Sequence, residues 1–187
     1  MSIYCTSADA ANTAVKAFLI RVGEYYLKRQ YNTGSGEAGR DWQRIKDDIF
    51  KGRCAYCGEE CTNPQMEHLI MFNRKELGLH HPGNMVPVCE PCNKRRKNTN
   101  NDYITWEEQL QRICNEKAQE DKISERCEKI LLHIKKEGYP NLSRDEKEVI
   151  RVIAESLYSN IQLEAEKSLK LYLQLHEAFV RIGWPSG

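Results

Sequence analysis

The sequence lacks any run of uncharged apolar residues that approaches the eighteen or more needed for a membrane-spanning helix. Its first ten residues, MSIYCTSADA, have neither the basic start nor the apolar middle of a secretory signal peptide. These two absences argue against a spanning protein and against a secreted one. We therefore expect a cytoplasmic location.

The sequence also lacks a dominant sign of charge, because 28 Lys/Arg stand against 27 Asp/Glu. A hydrophobic content of 40% and a charged content of 29% are near globular averages, which excludes general disorder. A chain of 187 residues can form one domain or a small domain with helical extensions. The charge is uneven: residues 40–100 carry 11 Lys/Arg against 8 Asp/Glu, and residues 101–187 carry 13 against 16.

Cysteine, in contrast, is abundant, with eight in the chain. Reducing compartments rarely keep structural disulfides, so paired cysteines there usually bind metal. Cys54-Ala-Tyr-Cys57 and Cys89-Glu-Pro-Cys92 are two such pairs, each able to point two thiolates at one ion from a tight turn. Four cysteines in this arrangement are typical of structural zinc. Cys61 is a fifth thiol nearby, which could replace one ligand.

Apolar periodicity predicts helices on both sides of the cysteine pairs. One amphipathic helix is expected within residues 7–31, then a flexible connector over 32–39 and a short helix around Trp42 that ends at Gly52. Downstream, Thr105 with Glu108 and Ser143 with Glu146 have the spacing of capping boxes, and GYPN (138–141) separates the two helical segments that they begin. An apolar stripe runs from residue 150 to 179.

Isolated histidines and cysteines in these helical parts have the ordinary interpretation of packing or surface residues. They are His133, His176, Cys5, Cys114 and Cys127.

Thirty-one residues separate Cys57 from Cys89, more than a minimal zinc ribbon uses. Residues 66–70 predict a strand, the polar segment NRKELGLHHPG a loop, and residues 84–88 a second strand. A helix can begin near Cys92. Zinc would then hold both ends of a hairpin that is followed by a helix.

With these elements in place, the sequence resembles the zinc-knuckle branch of the HNH endonuclease family over about residues 42–106. The resemblance is carried by the two cysteine pairs, by Glu67-His68, by Asn84, and by Asn93 with the basic residues after it. It implies a ββα-metal core in which one divalent cation bridges the scissile phosphate and the leaving oxygen.

The resemblance also assigns roles to residues. His68 matches the general base, Glu67 and Asn93 match ligands of a catalytic Mg²⁺ or Mn²⁺, and Asn84 matches the asparagine that holds the loop and the base in place. The four residues after Asn93 are predicted to open the helix and to contact phosphates. They are Lys94, Arg95, Arg96 and Lys97.

Physical chemistry sets a condition on these assignments. Side chains alternate along a strand, so Glu67 and His68 serve one site only if a bend or bulge interrupts the strand end. Given that bend, a neutral imidazole can accept a proton from water, and a carboxylate and an amide oxygen suit a hard cation. Glutamate also stands where aspartate is usual in the family, which leaves the metal preference open. His80 and His81 are open as extra ligands or phosphate contacts.

The sequence thus predicts a mainly helical α+β fold with a zinc-clamped ββα-metal core. Its three parts are an N-terminal helix and linker (1–39), the HNH core (40–104) and a C-terminal helical region (105–187). The predicted function is metal-dependent cleavage of DNA, with RNA not excluded. The alternative is a zinc-stabilised module that binds nucleic acid or protein without catalysis. A homodimer or a companion subunit such as an ATPase, in restriction or phage defence, is the expected setting.

Overall fold

A computed structural model of the protein describes residues 6–31 and 36–181. Within these ranges the fold is mainly helical α+β with one two-stranded antiparallel sheet, which confirms the predicted fold class. The elements in chain order are α1 (Ser7–Leu27), α2 (Gly36–Arg44), β1 (Gln65–His68), β2 (Met85–Val88), α3 (Trp106–Glu116), α4 (Ile123–Lys136) and α5 (Arg144–Leu175). A π-helical turn continues each of two helices: Ile45–Ile49 follows α2 and His176–Arg181 follows α5. A 3-10 turn precedes β2 (Pro82–Asn84) and another precedes α4 (Glu120–Lys122).

The helix starts follow the predicted local signals. Thr105 caps α3 and Ser143 caps α5, each accepting a hydrogen bond from the backbone N–H of a glutamate three residues later, while that glutamate bonds back to the cap. Both predicted capping boxes are therefore confirmed. The predicted break at 138–141 is also confirmed, because it lies between the end of α4 and the start of α5.

Only the second half of the connector predicted over residues 32–39 can be compared with the structure. Residues 32–35 lie outside the described residues, as does Cys5. From Gly36 onward the chain is helical, so the second half of that prediction is wrong. Glu37 stands in the first turn of α2, where a carboxylate is favourable near the positive end of the helix dipole.

The two strands pair in continuous register, with Gln65 opposite Val88 and His68 opposite Met85. β2 is buried along its whole length, whereas in β1 only Glu67 is buried, Met66 and His68 are partly exposed and Gln65 is exposed. No residue of β1 is unpaired within this register, so the bend that would turn Glu67 and His68 toward one site is not there. The two side chains therefore point to opposite faces of the hairpin.

The helix predicted to begin near Cys92 is wrong. Residues 90–93 form a turn, residues 94–96 are irregular, and Lys97 forms a bridge with Tyr103 before the chain enters α3. The turn satisfies its backbone locally, since the Asn93 N–H donates to the carbonyls of Cys89 and Glu90. A tight turn brings two cysteine thiols to one point, and the chain then leaves it in a conformation that directs Arg95 inward.

The chain divides into two compact units, one of residues Leu19–Leu142 and one of Met1–Phe18 with Ser143–Gly187. The three-part division remains a prediction. The first unit contains the sheet and a core contributed by the segment after α2, the cysteine turns, the strands, α3 and α4. The largest of its fully buried side chains include Tyr56, Phe50, Ile45, Leu110 and Ile130.

The second unit is described by itself. Ala11 and Val15 of α1 and Ile150 and Ala154 of α5 are buried. From Leu163 onward the apolar side chains of α5 are largely exposed. None of the described helices combines the length and the apolar character needed to cross a membrane.

Candidate metal centre and hairpin site

The two cysteine pairs meet at one point in the structure. The thiol sulfurs of Cys54, Cys57, Cys89 and Cys92 all lie within 4.8 Å of one another, and three of the four residues are buried. The Sγ atoms of Cys57 and Cys89 are 3.7 Å apart. Four sulfurs at about 2.3 Å from a tetrahedral zinc ion stand about 3.8 Å from each other, so this spacing fits zinc.

The backbone holds the first cysteine turn in the form that such a site needs. The Cys57 N–H points to the sulfur of Cys54 at 3.5 Å, and the Gly58 N–H donates to the Cys54 carbonyl at 2.9 Å. Gly58 has φ +72°, a conformation that glycine adopts without strain. The Ala55 N–H donates to the Pro87 carbonyl at 2.8 Å, which joins this turn to β2.

The protonation of the four thiols also favours a cation. Hydrogen bonds from the thiols of Cys57 and Cys92 lower the pKa of Cys54 to about 4. The same sharing with Cys54 raises the pKa of Cys92 well above its usual value. The thiolate of Cys54 is therefore stabilised by its neighbours, whereas ionisation of Cys92 is disfavoured. A divalent cation among the sulfurs would favour the thiolate form of both.

Cys61 does not belong to this cluster, which consists of the four predicted ligands alone. Among the described residues, no second group of three or more His, Cys, Asp or Glu side chains gathers in the same way. What the structure establishes is thus one four-cysteine cluster that could hold a metal ion such as zinc.

Asn84 closes the other end of the hairpin through its side chain. Its side chain is buried and accepts a hydrogen bond from the Ile70 N–H at 2.8 Å. Its Nδ2 group donates to the carbonyls of Ile70 and Leu79, both at 2.9 Å. One carboxamide therefore joins the start and the end of the loop between the strands.

A second side chain supports this end from α4. The Nε2 of buried His133 lies 3.1 Å from the Pro82 carbonyl and 3.0 Å from the Met85 carbonyl. Because both partners are acceptors, Nε2 carries the proton and donates to them. His133 is thus a packing residue, as the sequence predicted, and it stabilises the chain on both sides of Asn84.

His68 lies at the end of β1, half-buried, next to a histidine that the sequence had left open. Its Nε2 is 3.2 Å from Nδ1 of His80, a hydrogen bond whose direction depends on the tautomers. Its ring is stacked on Phe72, with centroids 4.9 Å apart and planes at 17°. Burial lowers the pKa of His80, which keeps that ring neutral near neutral pH.

Glu67 lies on the opposite face and forms a buried ion pair with Arg95. Their side chains are only 8% and 3% exposed. Arg95 also donates to the carbonyls of His68 at 2.9 Å and Leu69 at 2.8 Å, and to the hydroxyl of Tyr56 at 3.3 Å. Burial raises the pKa of Glu67, and the neighbouring guanidinium opposes that rise.

The structure therefore does not bring all predicted site residues together. The role of Glu67 as a ligand of a catalytic cation remains a prediction. It requires the ion pair with Arg95 to open and the end of β1 to turn, because Glu67 and His68 point to opposite faces. Arg95 is buried against the end of β1 and does not present its charge to solvent. Asn93 is half-buried and donates from Nδ2 to Oε1 of Gln65 at 2.5 Å.

The other three basic residues of the predicted phosphate-binding run are exposed. Arg96 lies 3.2 Å from a carboxylate oxygen of Glu116, and Lys97 lies 3.0 Å from Oδ1 of Asn101 and over the ring of Tyr103. Lys94 is exposed as well. These residues leave the site as an irregular, exposed segment of positive charge rather than as the first turn of a helix.

The sequence missed two contacts of this site: the His68–His80 pair and the Glu67–Arg95 pair. The only sequence signal for the first was a histidine placed just before the second strand, where a loop returns to the sheet. For the second, the signal was the alternation of Glu67 with His68, which places the carboxylate on the buried face.

No known protein family, no curated protein and no solved structure matches this chain. The functional argument therefore depends on the residues of the site themselves.

Proposed function

We propose that this protein is a nuclease of the HNH type, which hydrolyses phosphodiester bonds in DNA with His68 as the general base. The observation that carries the proposal is the position of His68. It ends a strand whose hairpin is tied at one end by four cysteines and at the other by Asn84, and its ring is oriented by His80 and Phe72. A base needs this kind of fixed orientation to accept a proton from an attacking water.

The chain's own residues give the following chemistry. Nε2 of His68 contacts His80, and we propose that Nδ1 is the nitrogen that accepts the proton. His80 remains neutral, so it can share a proton with His68 and help to stabilise the imidazolium that forms. His80 is thus a positioning residue for the base. Asn84 keeps the loop closed beside it.

The four cysteines would hold zinc as a structural ion. A divalent cation such as Mg²⁺ or Mn²⁺, when bound, would neutralise charge on the scissile phosphate. The predicted ligands for it are Glu67 and Asn93. In the structure the first is ion-paired with Arg95 and the second bonds to Gln65.

The test is cleavage of supercoiled plasmid by zinc-quantified wild type and by His68→Ala, separately in EDTA, Mg²⁺, Mn²⁺ and Ni²⁺. His176→Ala is the matched control, because it removes an exposed histidine of the final helical turn. We expect metal-dependent nicking by wild type and control, and a loss of at least about 10²-fold in His68→Ala. Full activity of a folded, zinc-loaded His68→Ala protein would rule out the proposed base. Parallel reactions with single-stranded RNA distinguish the two nucleic acids.

A second candidate is a zinc-stabilised module that binds nucleic acid or a protein and cuts nothing. It is favoured by one specific observation: two of the predicted catalytic side chains, Glu67 and Asn93, are occupied by internal contacts. Tight binding of duplex DNA that stays intact with every divalent metal would establish this function instead.

We further propose that the protein acts as a homodimer or with a companion subunit such as an ATPase, in restriction or phage defence. The support lies in the exposed apolar side chains of the last third of the chain, Leu163, Leu169, Leu171, Tyr172, Leu173, Leu175 and Val180. Exposed apolar groups in this number favour association. A strictly monomeric light-scattering profile, with full activity and no added partner, would contradict this proposal.

A further inference from the structure

A cavity of about 270 Å³ lies between the first cysteine turn and the start of α4, apart from the site of His68. Four of the side chains that line it are cationic and one is a carboxylate. The residues that matter for its chemistry are Phe50, Arg53, Lys122, Glu125, Arg126 and Lys129. This volume is just below that of pockets for drug-sized molecules, so the occupant is a small group.

Arg126 is held firmly at the wall of this cavity. Its Nη1 donates to the Tyr56 carbonyl at 2.9 Å and to Oε1 of Gln119 at 2.9 Å, and it lies 3.2 Å from the sulfur of Cys114. The guanidinium also packs closely on Gly58, where a Cβ atom would come within 2.7 Å of Nη2. A guanidinium fixed in this way is ready to bind an anion at little further cost in entropy.

Lys129 is crowded by other positive charges. It forms no ion pair with any residue in the described part of the chain, and its ammonium group lies over the ring of Phe50, 5.0 Å from the centroid. Burial lowers the pKa of Lys129, and the charges of Lys51 and Arg53 lower it further, while the carboxylate of Glu125 opposes this in part. An anion in the cavity would relieve this repulsion.

The N-terminus of α4 adds to the same field. This 14-residue helix begins after Lys122, which makes no side-chain capping hydrogen bond. The 3-10 turn Glu120–Lys122 leads directly into this end, and the first turn of α4 contains an acidic residue, so the positive end of the dipole is compensated only in part. Glu125, in the first turn, is 4.0 Å from the Lys122 ammonium and is the only carboxylate of the lining.

We propose that this cavity binds a phosphate group, and that the phosphate belongs to the backbone of a bound nucleic acid. Arg126 and Lys129 contact its oxygens, while Lys122 and Arg53 attract it from the rim. The choice of nucleic acid as the source rests on the proposed function, whereas the anion site itself rests on the cavity. A phosphate bound in this cavity would hold the nucleic acid at a point beyond the cleavage site and so contribute to affinity and register.

The same cations have another conceivable role, which is to offset the negative charge of a zinc ion with four thiolates, since Cys54 also lines the cavity. The two roles differ in what a neutral substitution changes. Loss of a phosphate contact lowers nucleic-acid affinity and its salt dependence, whereas loss of charge compensation lowers zinc content.

The experiment measures binding of a labelled DNA duplex by fluorescence anisotropy at several salt concentrations, in a His68→Ala background that prevents cleavage. The test variant is Lys122→Gln with Lys129→Gln. The matched control is Lys135→Gln with Lys136→Gln, which removes two exposed charges from the same helix outside the cavity. Zinc content is quantified for each protein.

We expect the test variant to bind about tenfold more weakly at ~100 mM salt, with a salt slope reduced by about 1 to 2, while the control and the zinc content stay unchanged. Equal affinities of test and control, or a loss of zinc without a loss of binding, would overturn the proposal. Inorganic phosphate and a 5′-mononucleotide are titrated in parallel, and binding of these without binding of duplex would contradict the nucleic-acid source. Because the readout is binding, a wild type that cuts nothing leaves this test intact, and a cutting wild type with normal binding by the test variant refutes this inference alone.

Discussion

The two ends of the β1–β2 hairpin are held together by different chemistry. At one end, four thiols from two turns converge into a cluster that could hold a metal ion such as zinc. At the other end, the carboxamide of Asn84 makes three hydrogen bonds to the backbone and needs nothing from outside the chain. The comparison teaches that one short sheet is anchored by a potential metal cluster at its base and by a single buried amide next to His68.

The largest expected effect breaks the cysteine end. Removal of zinc by a chelator, or Cys57→Ala, should unfold the Leu19–Leu142 unit, because structural zinc sites contribute about 10 kcal/mol or more to folding. Circular dichroism with parallel zinc quantification measures this. A native spectrum and melting temperature in zinc-free protein would show that the cysteine end does not need its metal.

The next effect breaks the asparagine end. Asn84→Ala leaves the Ile70 N–H and the carbonyls of Ile70 and Leu79 without their partner, so we expect a loss of about 4 kcal/mol in the free energy of unfolding. Asn84→Asp is the comparison variant, because it keeps the acceptor for Ile70 but replaces the donor with a buried carboxylate that faces two carbonyl oxygens. Urea denaturation of zinc-loaded protein gives both values. An Ala variant as stable as wild type would remove Asn84 from this role.

Some of this comparison could be predicted from sequence and some could not. The spacing of cysteines around Cys54 and Cys89 predicted the metal cluster, because ligand spacing is a local property. The capping boxes were local in the same way. The pairing of Glu67 with Arg95 was not predicted, because Arg95 is 28 residues away and was interpreted together with its basic neighbours as one exposed run. The helix expected near Cys92 failed because the second cysteine turn and the inward guanidinium decide the backbone there, both through contacts distant in sequence.

A third effect tests how tightly the asparagine end is packed. A Cβ atom at Gly78 would lie 2.1 Å from the Ile70 carbonyl oxygen and 2.7 Å from that of Met71. Gly78→Ala should therefore destabilise the protein by about 3 kcal/mol, since backbone must move. Gly52→Ala is the comparison at the cysteine end, where nothing lies within 4 Å and only the φ of +67° is unfavourable. Equal losses in urea denaturation would contradict the close approach of the two backbone segments.

A fourth effect is the dependence of the asparagine end on pH. Burial lowers the pKa of His81 to about 4, below its ordinary value of 6.5, so the unfolded chain binds a proton more readily. Stability from this group is fully present above pH 6.5 and is lost as the pH falls toward 4. The loss is about 2 kcal/mol by pH 5.

His81→Asn should remove that part of the slope, because asparagine does not titrate but can still accept the hydrogen bond from the Gly83 N–H. Unfolding at saturating zinc, from pH 7.5 to pH 5, measures the slope for both proteins. An unchanged slope in the variant would assign the acid sensitivity to other groups.

The smallest effect sharpens the cysteine end. Cys61 lies outside the cluster of four, so Cys61→Ser should change neither the zinc stoichiometry nor the stability by more than about 0.5 kcal/mol. Cys57→Ser is the matched substitution within the cluster. If Cys61→Ser lost zinc as Cys57→Ser does, the ligand set would be different from the one in the structure.

The amide of Asn84 has a consequence for how this protein can diversify. Because it binds both Ile70 and Leu79, the chain between these two residues is a loop whose ends are held together. Its length therefore does not change the alignment of the strands. The tip of that loop, at exposed Lys75, is therefore the place to insert residues, at the cost of the ion pair between Lys75 and Asp102. Doubling the length of a flexible loop costs only about 0.6 kcal/mol in loop closure. Peptides inserted there would change what the molecule binds, while the hairpin held by Asn84 keeps its geometry.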